Sequence, residues 1–180
     1  MIEKGVVNRY AKALAEIISR EKDPEKVFDR IFVIVDALLH ETSYRFFLNP
    51  SISKQDKFDR LSSFLEEIKL EDKYASFLLK VVKNNRFRVL QYLKKPTKEY
   101  LYRKLGIVEV DLTVPKKLTT ETEKKFVKAF EKKSGKKVKL KVKVDKDIIG
   151  GAIARMGSLV IDGSIKTNIL KIKEKLTGEL

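Results

Sequence analysis

From Val6 to Leu105 the apolar residues return every three or four positions, the pattern of helices with one face turned inward. Val7, Tyr10, Leu14, Ile17 and Ile18 share a side of the first helix, with small Ala11 and Ala13 beside them. Asp23-Pro24 predicts an N-cap followed by proline at the first helical position. The helix it opens has a broad apolar face of Val27, Phe28, Ile31, Val35, Leu38 and Leu39. A short aromatic helix, Ser43 to Leu48, is expected to stop at Asn49-Pro50, because a residue ahead of proline is pushed out of the α region. Ser53, with Asp56 three residues on, reads as a capping box for a fourth helix with Phe58, Leu61, Phe64, Leu65 and Ile68 inward. Asp72 is the expected cap of a fifth, which carries Tyr74, Phe77, Leu78, Val81 and Val82 and ends at Asn84-Asn85. A sixth runs through Phe87, Leu90 and Leu93, with a kink or a break expected at Pro96. Short connections favour a bundle of antiparallel neighbours.

After Gly106 the period changes from helical to alternating. Val108, Val110, Leu112 and Val114 fall on one face of a strand that Pro115 ends. Thr119 or Thr120 opens a helix carrying Phe126, Val127 and Phe130, which closes near Ser134-Gly135. Val138, Leu140, Val142 and Val144 then alternate with Lys139, Lys141 and Lys143, a strand with one wet face. Two shorter strands are expected near Gly151–Arg155 and Ser158–Ile161, with a turn at Met156-Gly157. Asp162-Gly163-Ser164 should cap a last helix from Ile165 to about Leu176. The fold class is therefore α+β: an N-terminal six-helix bundle over residues 1–105, then a small β-α-β-β-β-α domain over 106–180.

Composition changes this picture mainly through charge and through what it excludes. Thirteen lysines between Lys116 and Lys146 face only Glu121, Glu123, Glu131 and Asp145, a net +9 of the chain's +15. Such a segment is the electrostatic footprint of a nucleic-acid binder. It lacks interleaved aromatics for stacking and has almost no Arg for base readout. A solvated strand face, or a dock for an acidic protein segment, explains it as well. With no Cys and only His40, acyl-transfer triads, thiol nucleophiles and the common zinc sites are excluded. The carboxylate pairs Glu66-Glu67 and Glu71-Asp72 read as charged helix faces among lysines. Gly150-Gly151 precedes a strand and fits neither phosphate-loop nor dinucleotide spacing, so it reads as a bulge or a close backbone approach. No apolar run nears the ~20 residues of a membrane-spanning helix. Glu3 and Lys4, ahead of two valines, do not form a signal peptide. No catalytic residue, metal site, cofactor or small-molecule ligand is expected.

Four short segments carry a family resemblance. The run Asp147-Ile-Ile-Gly150-Gly151-Ala-Ile-Ala-Arg155-Met-Gly157-Ser-Leu-Val-Ile-Asp162-Gly163-Ser164 resembles the C-terminal signature of the delta subunits of F-type ATP synthases. Their mitochondrial counterpart is the oligomycin-sensitivity-conferring protein. Arg9-Tyr10-Ala11-Lys12-Ala13-Leu14 is similar to that family's opening helix. Phe47-Leu48-Asn49-Pro50 resembles its stop after the third helix, and Lys83-Asn84-Asn85-Arg86-Phe87 its break between the fifth and sixth. The four occur in the family's order across nearly the whole chain, and Pro96 is a local departure.

The resemblance implies a non-catalytic subunit of the peripheral stalk, which keeps the catalytic head from turning with the rotor. It implies a helical domain that grips N-terminal helices of alpha subunits and a C-terminal domain that joins the C-terminal ends of b-type stalk subunits. The location implied is the cytoplasmic face of the cell membrane, without insertion into it. Tyr10, Ala13, Leu14 and Ile17 of the first helix and Phe77, Leu78, Val81 and Val82 of the fifth are the candidates for the alpha-binding groove; each could equally be core. In the C-terminal motif Gly150, Gly151 and Gly157 are assigned to strand geometry, and Asp162, Gly163 and Ser164 to the turn and cap, with Arg155 between them. The lysine face and the last helix are the candidates for the stalk contact. The alternative function is a basic nucleic-acid-binding adaptor.

Overall fold

Helical periodicity in the first hundred residues builds one shared core. In the computed structural model, which describes residues 4–177 and side chains as far as Lys173, the helices are α1 (Lys4–Ile18), α2 (Pro24–Leu38), α3 (Glu41–Leu48), α4 (Lys54–Glu67), α5 (Asp72–Lys83) and α6 (Leu90–Leu105). Glu3 lies outside the described residues. Local chemistry sets most of the ends. Asp23 accepts a hydrogen bond from the Lys26 amide, with Pro24 at the first helical position. Ser53 accepts from the Asp56 amide at 3.0 Å while its hydroxyl donates to the Asp56 carboxylate at 2.7 Å. Leu14, Ile18, Ile31, Phe32, Leu61, Leu65, Leu78 and Leu93 fill the centre. Fully burying side chains of this size stabilises by roughly 1.5–3 kcal/mol each.

Several expectations are corrected here. Asp72 does not cap α5: Glu71 holds the N-cap position, and its carbonyl accepts from the Tyr74 and Ala75 amides. The Glu71 carboxylate is drawn instead to Lys73, 3.0 Å away, so no side chain closes the cap. Asp72, inside the first turn, still meets the positive end of the helix dipole. The aromatic helix α3 begins at Glu41 rather than Ser43. Pro96 does not divide its helix, because α6 continues through it from Leu90 to Leu105. The carbonyl that Pro96 leaves without a helical donor belongs to Tyr92, on the exposed side of α6 where water can serve it. The break comes earlier, as a 3₁₀ turn at Phe87–Val89 that redirects the chain. In α4 only Leu61 and Leu65 of the inward set are fully buried, and Lys57 is buried with them. Its ammonium donates to the Asn49 carbonyl at 2.7 Å, so α4 caps the end of α3.

The structure separates into two units between Leu105 and Gly106. The second contains β1 (Ile107–Val114), α7 (Thr120–Ser134), β2 (Lys137–Val144), β3 (Ile153–Met156), β4 (Leu159–Asp162) and α8 (Ile165–Thr177). The chain as a whole is α+β, with eight α-helices and one four-stranded sheet among the described residues. Strand order is β2-β1-β3-β4, with β1 parallel to β2 and the other pairs antiparallel. A parallel pair needs a crossover, which α7 supplies. Thr119 caps α7 through the Thr122 amide, and Gly135, at φ +67°, ends it in the left-handed conformation. Val110, Leu112, Val114, Phe130 and Ala154 form the core. The two short strands start later than expected, and their turn falls at Gly157-Ser158, because the backbone of residues 150–152 is engaged elsewhere.

Candidate functional site

Helix α1 carries two neighbouring stripes. Val7, Ala11, Leu14, Ala15 and Ile18 are buried in the bundle core. Val6, Tyr10, Ala13 and Ile17 follow at spacings of four, three and four, along one flank of the same helix. Ala13 is exposed, and Tyr10 and Ile17 are half-buried. This flank faces α5 across an open cleft of about 520 Å³, lined by Val6, Arg9, Tyr10, Ala13, Lys80, Asn84 and Arg86. Small Ala13 leaves room for a foreign backbone to come close.

Two contacts tie α1 and its following turn to α5, which runs in the opposite direction. At one end the Asn84 amide donates to the Tyr10 hydroxyl at 3.0 Å, and the Tyr10 and Phe77 rings meet edge to face, 6.1 Å apart. At the other, Glu21, just after α1, accepts from the Lys73 ammonium and from the Tyr74 hydroxyl, the latter at 3.0 Å. These hydrogen bonds lower the Glu21 pKa, with Lys73 the larger cause. Lys73 is raised by Glu21 first and Glu71 second. Burial and then the Glu21 carboxylate push the Tyr74 phenol up to about 12.

Of the eight groove candidates, Tyr10 and Ala13 line the cleft and Ile17 lies along the same flank. Leu14, Phe77, Leu78, Val81 and Val82 are buried in the core and support the groove from beneath. Periodicity could not separate the two sets, because both stripes repeat at helical spacing. Arg9, Asn84 and Arg86 stood in the sequence motifs and Lys80 in none, but the cleft-lining place of all four escaped the sequence reading; the signal available was polar residues flanking an over-wide apolar face.

In the second unit the C-terminal motif closes on itself. The Gly163 amide donates to the Ala152 carbonyl and the Ile165 amide to the Gly150 carbonyl, both at 3.0 Å. That approach leaves no room for side chains. A Cβ on Gly151, itself at φ +84°, would collide with the Gly163 carbonyl, and one on Gly150 with the Ile165 side chain. Gly157, at φ +60°, makes the turn between β3 and β4. Asp162 accepts from the Ser164 amide and the Thr167 hydroxyl, both at 2.8 Å, and these bonds hold its carboxyl below the usual range. Ser164 accepts in turn from the Thr167 amide, at 3.2 Å, at the start of α8. Arg155 is exposed on β3, across from Asp111. Around this frame Ile149, Leu159, Val160, Ile165, Ile169, Leu170 and Ile172 are strongly exposed.

The lysine strand β2 lies at the sheet edge, where charge discourages edge-to-edge pairing. Lys141 pairs with Glu109 of β1 at 2.7 Å. The only aromatics of residues 106–180, Phe126 and Phe130, stack on each other in the core, so no platform for bases exists here. His40 is exposed at the start of α3. No metal-binding cluster occurs among the described residues, and no helix among them is long and apolar enough to cross a membrane.

Comparison with known proteins agrees along the length of the chain. The family model of the ATP synthase delta (OSCP) subunit matches residues 6–176. An ATP synthase subunit delta of Fusobacterium nucleatum is 32% identical over 172 residues, covering 94% of this chain and 97% of that protein. A sodium ion specific subunit delta of Ilyobacter tartaricus is 29% identical, covering 94% and 97%. In the solved Toxoplasma gondii mitochondrial ATP synthase hexamer, one chain shares the fold, with a TM-score of 0.60 at 22% identity, across 97% of this chain and 99% of that one.

Proposed function

Because the chain belongs to the ATP synthase delta (OSCP) subunit family, a peripheral-stalk component of F-type ATP synthase, we propose how its two units divide the work. The helical unit takes an N-terminal helix of the alpha subunit into the α1/α5 groove. The second unit takes the C-terminal ends of the b-type stalk subunits on α8 and the neighbouring edge of the sheet. The complex stands on the cytoplasmic face of the membrane, and this subunit reaches the bilayer only through its partners. Its task is mechanical: it holds the head still against rotor torque, so its chemistry is that of contact and not of catalysis.

The observation that carries the reading is the second stripe of α1. An amphipathic helix laid into a groove needs apolar anchors and small residues for close approach, and half-buried Tyr10 and exposed Ala13 offer both beside the cleft. Calorimetry with a synthetic peptide of the alpha N-terminus tests it. Ala13→Trp fills the groove from an exposed position, so it should weaken binding by about tenfold or more while leaving the thermal midpoint unchanged; a loss of this size, ~1.4 kcal/mol, is what one blocked interface anchor costs. Unchanged affinity in the variant would sink the assignment.

A further inference from the structure

The floor of the α1/α5 groove fits any amphipathic helix, whereas its rim is more selective. Arg9 of α1, Lys80 of α5 and Arg86 of the turn after α5 line it, with no carboxylate among the lining residues. Some cations elsewhere in the same unit have acidic partners, among them Arg20 and Lys104 with Glu16, Lys26 with Asp23, Arg45 with Glu41 and Lys94 with Asp36. The three rim cations form no ion pair with a described residue. Arg86 also lines an adjoining cleft of about 310 Å³ with Phe47, Phe87 and Arg88, again without a carboxylate. Four exposed cations thus follow one path across two clefts, and their mutual repulsion is relieved only from outside.

Resting on the reading that this groove takes the alpha N-terminal helix, we propose that it selects its occupant by charge: the helix carries carboxylates on both flanks of its apolar stripe, and its continuation places further acidic residues over the cleft beside Phe87. The apolar floor argues against nucleic acid, whose phosphates would satisfy the rim and leave Tyr10 and Ala13 uncovered. A second copy of this chain is disfavoured, because it would bring the same cations and another +15 of charge. An acidic amphipathic helix satisfies floor and rim together.

The test uses the full chain and two synthetic peptides of the alpha N-terminus from the same synthase. One is native, and in the other every Asp and Glu is replaced by Asn or Gln. Affinity for the native peptide should fall about tenfold between roughly 0.05 and 0.5 M salt, as expected of exposed charge pairs. The amide peptide should start about tenfold weaker and respond little to salt. Lys80→Glu with Arg86→Glu should weaken the native peptide and strengthen one whose acids are replaced by lysine; both positions are exposed, and an unchanged circular dichroism spectrum checks the fold. Equal affinity of native and amide peptides at both salts overturns charge selection and leaves the groove intact. Failure of both peptides to bind overturns the groove reading and this inference with it.

Discussion

In the helical unit twenty-five apolar residues are buried in one cluster, and the large apolar side chains left strongly exposed are Val33 and Tyr92. In the α/β unit five are buried, while eight are strongly exposed, from Val144 to Ile172. Both are drawn from one chain of ordinary composition, so the difference lies in where the apolar surface goes. The first unit consumes its own and leaves one narrow stripe of α1 partly open. Among the described residues the second leaves more large apolar side chains exposed than it fully buries, and its last helix is exposed along most of its described part. Small units with little buried area are marginal on their own. The first is therefore expected to be a rigid clamp in the free chain, and the second to gain most of its stability on meeting its partner.

The largest effects should come from the core that makes this contrast. Leu14→Ala opens a cavity in the crowded centre of the bundle, and about 2–5 kcal/mol of stability should go with it, read from the urea midpoint of the helical transition. Gly151→Ala places a Cβ against the Gly163 carbonyl at a positive φ, which should cost the second unit about 1–3 kcal/mol. Amide exchange would then accelerate along β4 and α8 and stay unchanged in α1. Equal acceleration in both units would show that they unfold together and would remove the comparison.

Much of this architecture was legible because local chemistry dictated it. Asp23-Pro24, Ser53 with Asp56, Thr119 and Gly135 close helix ends by contacts no more than four residues long, so their spacing alone reveals them. The change of period at Gly106 marked the sheet for the same reason. What escaped depended on contacts that no spacing rule announces. Lys57 is buried only because the end of α3 offers it the Asn49 carbonyl. Glu71 leaves its capping role because Lys73 competes for its carboxylate. The groove was half legible: the over-wide apolar face of α1 was visible, but which stripe is covered is decided by packing on α5 and α6. Arg9 and Arg86 looked like any surface cations until the absence of acids around them could be seen.

Acid and alkali should each loosen the contact that Glu21 makes with Lys73 and Tyr74. Glu21 has a lowered pKa, so its contribution is present above the ordinary carboxylate range and fades as pH falls through the folded value. Tyr74 behaves oppositely. Its phenol is raised from 10 to about 12, so the folded state holds its proton longer than the unfolded chain and stability declines as pH rises between those values. Thermal midpoints against pH should show this alkaline limb in the wild type and lack it in Tyr74→Phe. A limb that persists in the variant would assign it to the many lysines instead.

The smallest effect on stability should accompany a large effect on binding, at the surface of α8. Ile169 and Ile172 are 59% and 57% exposed, so replacing either with Ser removes little contact, and the free chain should change by no more than about 0.5 kcal/mol. If α8 meets the stalk through this apolar surface, each variant should bind a b-type C-terminal segment several-fold more weakly, with an affinity that barely responds to salt. That response is the opposite of the one expected at the α1/α5 groove, where cations line the rim. Steep salt dependence at α8 would instead transfer the stalk contact to the lysines of β2, and the exposed isoleucines would then need another occupant.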